Sequence, residues 1–218
     1  MIRTVPETAS VATPTEGGRL CAPSAERNCQ PLCNLLTKVA PEQGAALEIA
    51  SGTGQHIFAF AACLPGLTWQ PTEPDPTRRA SIDTYVAEAG LSNLSPARDL
   101  DAAVPGWGAA HRGQSLIVLV NLLHLISTAE VQTLIDEAAQ ALGPGGRFVI
   151  YGPFMRAGEL TSEGDERFHA SLRAMDPEIG YKDDFDVLDI ALAAGLTPVD
   201  VVEMPANNLA LVLEKPPG

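Results

Sequence analysis

Residues 115–120, which read SLIVLV, restrict the fold more than any other stretch. A strand with one solvated face alternates apolar and polar residues; this run does not, so both of its faces need cover. Such a strand belongs inside a sheet with helices packed on either side. The flanking sequence supplies them. Residues 46–50 (ALEIA) form a shorter apolar run that ends in the glycine-bearing 51–54 (SGTG), and residues 55–64 follow with helical spacing up to Pro65-Gly66. Residues 67–73 (LTWQPTE) predict a second strand, and the helix after it has Pro76 for its first turn and Gly90 for its C-cap. A weaker third strand is predicted at 93–101, weakened by Pro96, which has no N–H to give a ladder.

Beyond the central run, a helix is predicted over 127–146, capped by Ser127 or Thr128 and stopped by Gly143-Pro144-Gly145-Gly146. Residues 147–153 (RFVIYGP) read as the next buried strand. The polar stretch from Met155 to Asp183 reads as an insertion or lid. A helix over 184–196 and two strands, 197–205 and 208–215, joined at Pro205-Ala206-Asn207, complete the pattern. Alternating strands and helices predict an α/β fold, a doubly wound Rossmann-like sheet finishing in an antiparallel hairpin.

With 218 residues and about 150 per domain, one domain is expected. Residues 1–22, rich in Thr, Pro, Ser, Glu and Gly, predict a flexible tail ahead of a domain over 23–218. The charge balance, 14 Lys+Arg against 27 Asp+Glu and a net −13, argues against a nucleic-acid or anionic-membrane partner and for a small molecule. The first residues have no apolar core of a secretory signal, and the longest apolar run is too short to span a bilayer, so a soluble cytoplasmic protein is expected. Cys21, Cys29, Cys33 and Cys63 are too few for a disulfide scaffold; Cys29 and Cys33 share a helix face but lack further ligands at zinc spacing, so free thiols and no metal site are expected.

Ligands of such sheets bind beyond the carboxyl ends of the strands, which directs attention to the loop Glu48-Ile49-Ala50-Ser51-Gly52-Thr53-Gly54-Gln55-His56. A dinucleotide fingerprint needs a third glycine where Ile57 stands, and a phosphate loop needs Gly-Lys-Ser/Thr; neither is present. What remains is an acid before the glycines, Glu48, and one at the end of the second strand, Glu73, with Asp75 as its competitor. A carboxylate at the second strand end suits a ribose diol, whose two hydroxyls can both donate to it. Asp101, with Asp99 as its competitor, stands at the end of the third strand and suits an exocyclic amine. The set fits an adenosine ligand without a pyrophosphate.

On these residues the chain resembles the class I S-adenosylmethionine (SAM)-dependent methyltransferases, whose seven-stranded sheet ends in an antiparallel hairpin and whose motif usually carries glycine where Ala50 stands. Within that superfamily, Glu26-Arg27-Asn28, LEIASGTGQH, Trp69-Gln70-Pro71 with Glu73 and Asp75, Asn121 with His124, Tyr151-Gly152-Pro153 and Met204-Pro205-Ala206-Asn207-Asn208 are similar to the methyltransferase-like 26 family, over residues 24 to 215. The resemblance implies SAM as cofactor. It assigns Ala50, Gly52 and Gly54 to the cofactor loop, Glu73 to the ribose and Asp101, rather than Asp99, to adenine. It places Glu48 at the loop or the SAM amine, and Arg27 and Asn28, read as preceding the first helix, on the methionine arm. Asn121 and His124 fall beside the sulfonium, with His124 as a candidate base and Asn121 also a cofactor contact. Tyr151, Asn207 and Asn208 are candidates for the acceptor, Tyr151 also for catalysis. His56 is a candidate helix cap; His111 and His169 carry no signal.

Three activities follow from the resemblance. The first is methyl transfer to a small acceptor by direct displacement at the sulfonium methyl. The second is a SAM-cyclising lyase, in which the amine of the aminobutyrate arm attacks the carbon beside sulfur, giving a four-membered cyclic amino acid of the azetidine-2-carboxylate type and methylthioadenosine. The third is SAM binding without turnover.

Overall fold

Most apolar runs become strands and most stretches of helical spacing become helices; the helix expected over 127–146 ends at Ala141, and residues 142–146 join the following strand. In the computed structural model, which describes residues 11–217, two short antiparallel strands, β1 (Thr13–Pro14) and β2 (Leu20–Cys21), lead into helix α1 (Pro23–Val39). Then come β3 (Gly44–Ile49), α2 (Gln55–Cys63), β4 (Leu67–Pro71), α3 (Pro76–Ala89), the short α4 (Trp107–Ala110) and β5 (Gln114–Val120). The second half holds α5 (Thr128–Ala141), β6 (Leu142–Met155), α6 (Glu163–Met175), β7 (Lys182–Asp183), α7 (Asp184–Ala193), β8 (Thr197–Met204) and β9 (Asn208–Glu214).

The main sheet runs β4-β3-β5-β6-β9-β8, with β7 added as a seventh strand beside the end of β6. The pairs β3–β4, β3–β5 and β5–β6 are parallel, whereas β9 is antiparallel to both β6 and β8. Side chains alternate across the sheet as a period of two requires. Ala46, Leu116, Val118, Val149 and Tyr151 pack beneath α1, α2 and α3, while Leu47, Ile117, Leu119, Phe148 and Ile150 pack against α4, α5 and α7. The chain leaves β3 toward β4 on one side and returns through β5 on the other. This reversal opens a crevice at the carboxyl ends of β3 and β5, where ligands of doubly wound sheets bind.

Local signals set the helix ends. Asp75 caps α3 by accepting from the amides of Thr77 at 2.7 Å and Arg78 at 3.1 Å, Pro76 occupies the first turn, and Gly90 ends the helix at φ 60°. Ser127 and Glu130 form a reciprocal capping box at the start of α5.

Three expectations are corrected. Residues 93–101 do not make a full strand: beside β4 they contribute only the isolated bridges Trp69–Leu94 and Thr72–Arg98. Pro96, between them, has no N–H to continue the ladder. Residues 11–22 are not a loose tail. The amide of Leu20 donates to Ser81 Oγ at 2.7 Å, Tyr85 donates back to the Leu20 carbonyl at 3.2 Å, and Arg19 pairs with Glu88 at 2.9 Å, so this hairpin is fastened to α3. The part of the expected tail at residues 1–10 lies outside the described residues. Arg27 and Asn28 do not precede the first helix but lie within α1, which starts at Pro23 because proline loses no hydrogen bond in a first turn. The stretch 155–183 folds onto the sheet end as α6 and β7 around Leu172, Ile179 and Tyr181.

Candidate functional site

The loop after β3 is stitched to the end of β4. Thr72 donates to the Glu48 carbonyl through its amide at 3.0 Å and its hydroxyl at 2.8 Å, and the Ser51 amide donates to the Thr72 carbonyl at 2.8 Å. Glu73 accepts from the Gly52 amide on Oε2 at 2.9 Å and from the Asp75 amide on Oε1 at 3.1 Å. One N–H per oxygen leaves one lone pair on each, which is the acceptor pair a vicinal diol can fill. Burial raises the Glu73 pKa, against the opposing pull of the Asp75 and Gly52 amides and of Arg78.

Two loop positions need a left-handed backbone for distinct reasons. Gly54, at φ 96°, precedes α2, and a Cβ there would stand 2.9 Å from Ile82 Cα, so glycine is what lets α3 approach. Ala50 adopts φ 52° despite its methyl group, a conformation that costs a non-glycine residue about 1–2 kcal/mol.

Two adjoining cavities open over this loop. The inner one, of about 190 Å³, is lined by Ala50, Ser51, Gly52, Thr53, His56, Glu73, Pro74, Arg78 and Asn121, among others. The outer one, of about 380 Å³, is lined by Arg27, Asn28, Asn121, His124, Pro153, Phe168, Tyr181 and Asn208, among others. Val11, Ser24 and Asn121 border both. Asn121 follows β5 directly and holds a left-handed turn at φ 57°, with its amide donating to the Tyr151 carbonyl at 2.8 Å.

The fold therefore divides the expected site residues. Ala50, Gly52, Glu73 and Asn121 meet at the inner cavity, and Arg27, Asn28, His124 and Asn208 at the outer. Gly54 serves the packing of α2 on α3 and lines neither cavity. Asp101 also lines neither; its carboxylate accepts from the Ala103 amide at 3.0 Å. Of the competitors, Asp99 pairs with Arg79 at 3.3 Å and Asp75 caps α3. Asn207 donates to Asp165 of α6 at 3.2 Å, tying the β8–β9 turn to the segment that walls the outer cavity.

Several ionisable groups are forced neutral by burial. Glu48 is buried with Oε2 unpartnered among the described residues, and its pKa rises to about 8. His124 is pushed down to about 3 by burial, with Lys182 adding to the effect, and its ring lies edge-on to Phe168 and Tyr181. Tyr151 is 1% exposed, its hydroxyl unpartnered among the described residues and its pKa pushed up to about 12. His56 does not cap its helix: Gly54 is the cap residue, and His56 is buried against Phe60, held down to about 4, with Nε2 unpartnered among the described residues. Its place on the inner cavity, and that of Tyr181 on the outer, had no local signal in the sequence. The four cysteines are free thiols, and among the described residues no group of three or more His, Cys, Asp or Glu is placed to hold a metal ion.

Comparison with known proteins agrees with this architecture. The model of the family described as "Protein of unknown function (DUF938)" matches residues 19–215. Among solved structures, an O-methyltransferase family protein from Burkholderia thailandensis superposes with a TM-score of 0.74 at 17% identity, over 88% of this chain and 57% of that one. The S-adenosylmethionine-dependent methyltransferase SibL gives 0.72 at 18%, over 88% and 56%. Human N-acetylserotonin methyltransferase, solved in complex with SAM, gives 0.68 at 12%, over 87% and 52%. The chain thus spans little more than half the length of these proteins, and the likeness establishes the Rossmann-like methyltransferase fold.

Proposed function

The chain belongs to the DUF938 family, and on that footing we propose that it binds SAM and transfers the sulfonium methyl to a small-molecule acceptor. The observation that carries this reading is the pairing of a diol-ready Glu73 in the inner cavity with a second cavity reached past Asn121. The adenosine occupies the inner cavity with its ribose hydroxyls on Glu73. The sulfonium lies near Asn121, and the acceptor enters from the outer side. Solved structures of the same fold that are described as SAM-dependent or hold SAM or its product support the choice of cofactor.

In this reading a lone pair of the acceptor forms a bond to the methyl carbon while the C–S electron pair moves to sulfur, leaving S-adenosylhomocysteine. The chain contributes mainly alignment and exclusion of water. His124, held neutral, accepts a hydrogen bond from the acceptor but is too weakly basic to store its proton. The acceptor is therefore one that is nucleophilic without prior deprotonation by the enzyme, and the proton it releases leaves to solvent. Asn121 and His124 orient the acceptor, and Asn208 borders its entrance. Asp101 and Asn207 act at a distance from the cavities, Asp101 on the backbone of its loop and Asn207 on the position of α6.

The likeness to the methyltransferase-like 26 family belongs to the same proposal. Its support is that Arg27, Asn28, Asn121, His124, Pro153, Ala206 and Asn208, scattered among the quoted motifs, converge on one cavity. A cytoplasmic setting and a small-molecule partner are proposed with it, supported by the free thiols and the net charge of −13.

One observation favours the SAM-cyclising reading as the second choice. The described residues lining the outer cavity include Arg27 and no carboxylate. An ammonium group placed there is disfavoured relative to the free amine that cyclisation needs. Incubation with SAM alone, then with SAM and a metabolite extract, separates the readings by mass spectrometry. S-adenosylhomocysteine formed only with extract is the expected result. Methylthioadenosine from SAM alone would favour cyclisation, and tight binding without either product would leave a non-catalytic SAM protein.

A further inference from the structure

The outer cavity has an electrostatic character opposite to that of the chain. The protein carries a net charge of −13, yet among the described residues no Asp or Glu lines this cavity, and Arg27 does. Arg27 projects from the first turns of α1 and makes no hydrogen bond or ion pair with any described residue. Asp165, on the adjoining helix, is engaged by Ser162, Thr161, Tyr181 and Asn207. A second observation points the same way. Pro153 lines the cavity; Tyr151, two residues earlier on β6, does not line it but projects from the same face of the sheet, behind that wall. The Tyr151 hydroxyl is buried, lacks a partner among the described residues and lies within electrostatic reach of Arg27. A buried hydroxyl without an acceptor is rare in a folded protein, and a cation within electrostatic reach favours an anion as the missing acceptor.

We propose that the outer cavity takes a small carboxylic acid as the methyl acceptor, its carboxylate held by Arg27 with the Tyr151 hydroxyl as a second donor. This rests on the methyltransferase reading and adds the class of acceptor. Arg can grip a carboxylate through two parallel hydrogen bonds, which fixes orientation as well as affinity. Phe168 and Tyr181 supply aromatic walls that suit a planar body. The carboxylate itself does not react. The acceptor's nucleophile, an amine or an ionised hydroxyl, points toward Asn121, attacks the methyl carbon and expels the thioether with its bonding pair. A methylated amine then loses its proton to water.

The test uses the full chain loaded with S-adenosylhomocysteine and titrated with benzoate, phenylacetate, anthranilate and salicylate, each beside its carboxamide. The acids are expected to bind about tenfold or more tightly than their amides, and Arg27→Gln is expected to erase that preference at a far smaller cost in S-adenosylhomocysteine affinity, since Arg27 moves from the methionine arm, where the family resemblance put it, to the acceptor. Tyr151→Phe is expected to reduce the preference in part. Equal binding of acids and amides, or no binding of either, overturns the proposal. So does a comparable loss of S-adenosylhomocysteine affinity in Arg27→Gln, because Arg27 would then hold the cofactor's own carboxylate. Failure of the unaltered protein to bind S-adenosylhomocysteine at all would instead overturn the methyltransferase reading beneath it.

Discussion

Replacing Glu48 with Gln tests whether the loop acid is carried uncharged in the fold. Its side chain is buried beneath the loop that follows β3, and desolvation raises its pKa from 4.5 to about 8, with a hydrogen bond from Ser51 opposing and the charge of Glu73 adding to the rise. A group whose folded pKa is raised binds more protons folded than unfolded, so stability falls with pH between the two values. The window here runs from the unfolded 4.5 to the folded value near 8. At about 1.4 kcal/mol per pH unit, the stability lost across it is on the order of 5 kcal/mol. His56 and His124 act in the opposite sense over a lower range. Their folded pKa values, about 4 and about 3, lie below the ordinary 6.5, so they add stability as pH rises toward 6.5 and nothing beyond. Above pH 6.5 the Glu48 contribution therefore stands clear of both histidines. Urea unfolding of the unaltered chain and of Glu48→Gln at half-unit steps from pH 6.5 to 8.5 measures it. The unaltered protein should lose stability relative to the variant by roughly 2 kcal/mol over that interval. Parallel stability curves for the two proteins would refute the assignment of a protonated Glu48.

Other substitutions test separate parts of the site. Gly54→Ala places a methyl 2.9 Å from Ile82 Cα at φ 96° and should cost about 2–4 kcal/mol in thermal or urea unfolding. Ala50→Gly relieves the left-handed strain at φ 52° and should stabilise the protein by about 0.5–1 kcal/mol once the entropy of the new glycine is subtracted, a gain readable as a rise in Tm. Glu73→Ala removes both diol acceptors and should weaken S-adenosylhomocysteine binding about a hundredfold by calorimetry, whereas an effect under threefold would mean that Glu73 only shapes the loop.

What could be read in advance was what neighbouring residues decide. SLIVLV had to be buried on both faces wherever it sat, and β5 is central. The start of α3 at Pro76 and the cap of α5 at Ser127 are features of one helical turn, so their residues announce them, whereas Asp75, read as a competitor for the ribose, caps α3 instead. Glu73 was legible for a related reason: a strand end after a glycine loop has one place to be in a doubly wound sheet. The errors fall where distant segments decide. Nothing in the polar sequence of residues 11–22 says that Ser81 and Tyr85 lie in wait for its backbone. Residues 93–101 have an apolar pattern compatible with a strand, and only the position of Pro96 against β4 shortens it to bridges. Arg27 and Asn28 are on the quoted motifs, yet their place on the outer cavity follows from how α1 crosses the sheet. Tyr181 reaches the same cavity through the docking of α6 and the Asp165 bond to its hydroxyl at 3.0 Å, a contact across sixteen residues. Asp101 was placed by order along the chain, and nothing local announced that its carboxylate accepts from the Ala103 amide.

The most direct measurement of the central claim is a crystal structure of the full chain with S-adenosylhomocysteine. The account predicts the ribose hydroxyls on the two oxygens of Glu73, the adenosine within the cavity bounded by Ala50–Thr53 and Pro74, and the sulfur beside Asn121, facing the cavity that holds Arg27 and His124. A ligand bound with its ribose away from Glu73, or with its sulfur turned from the outer cavity, would contradict it.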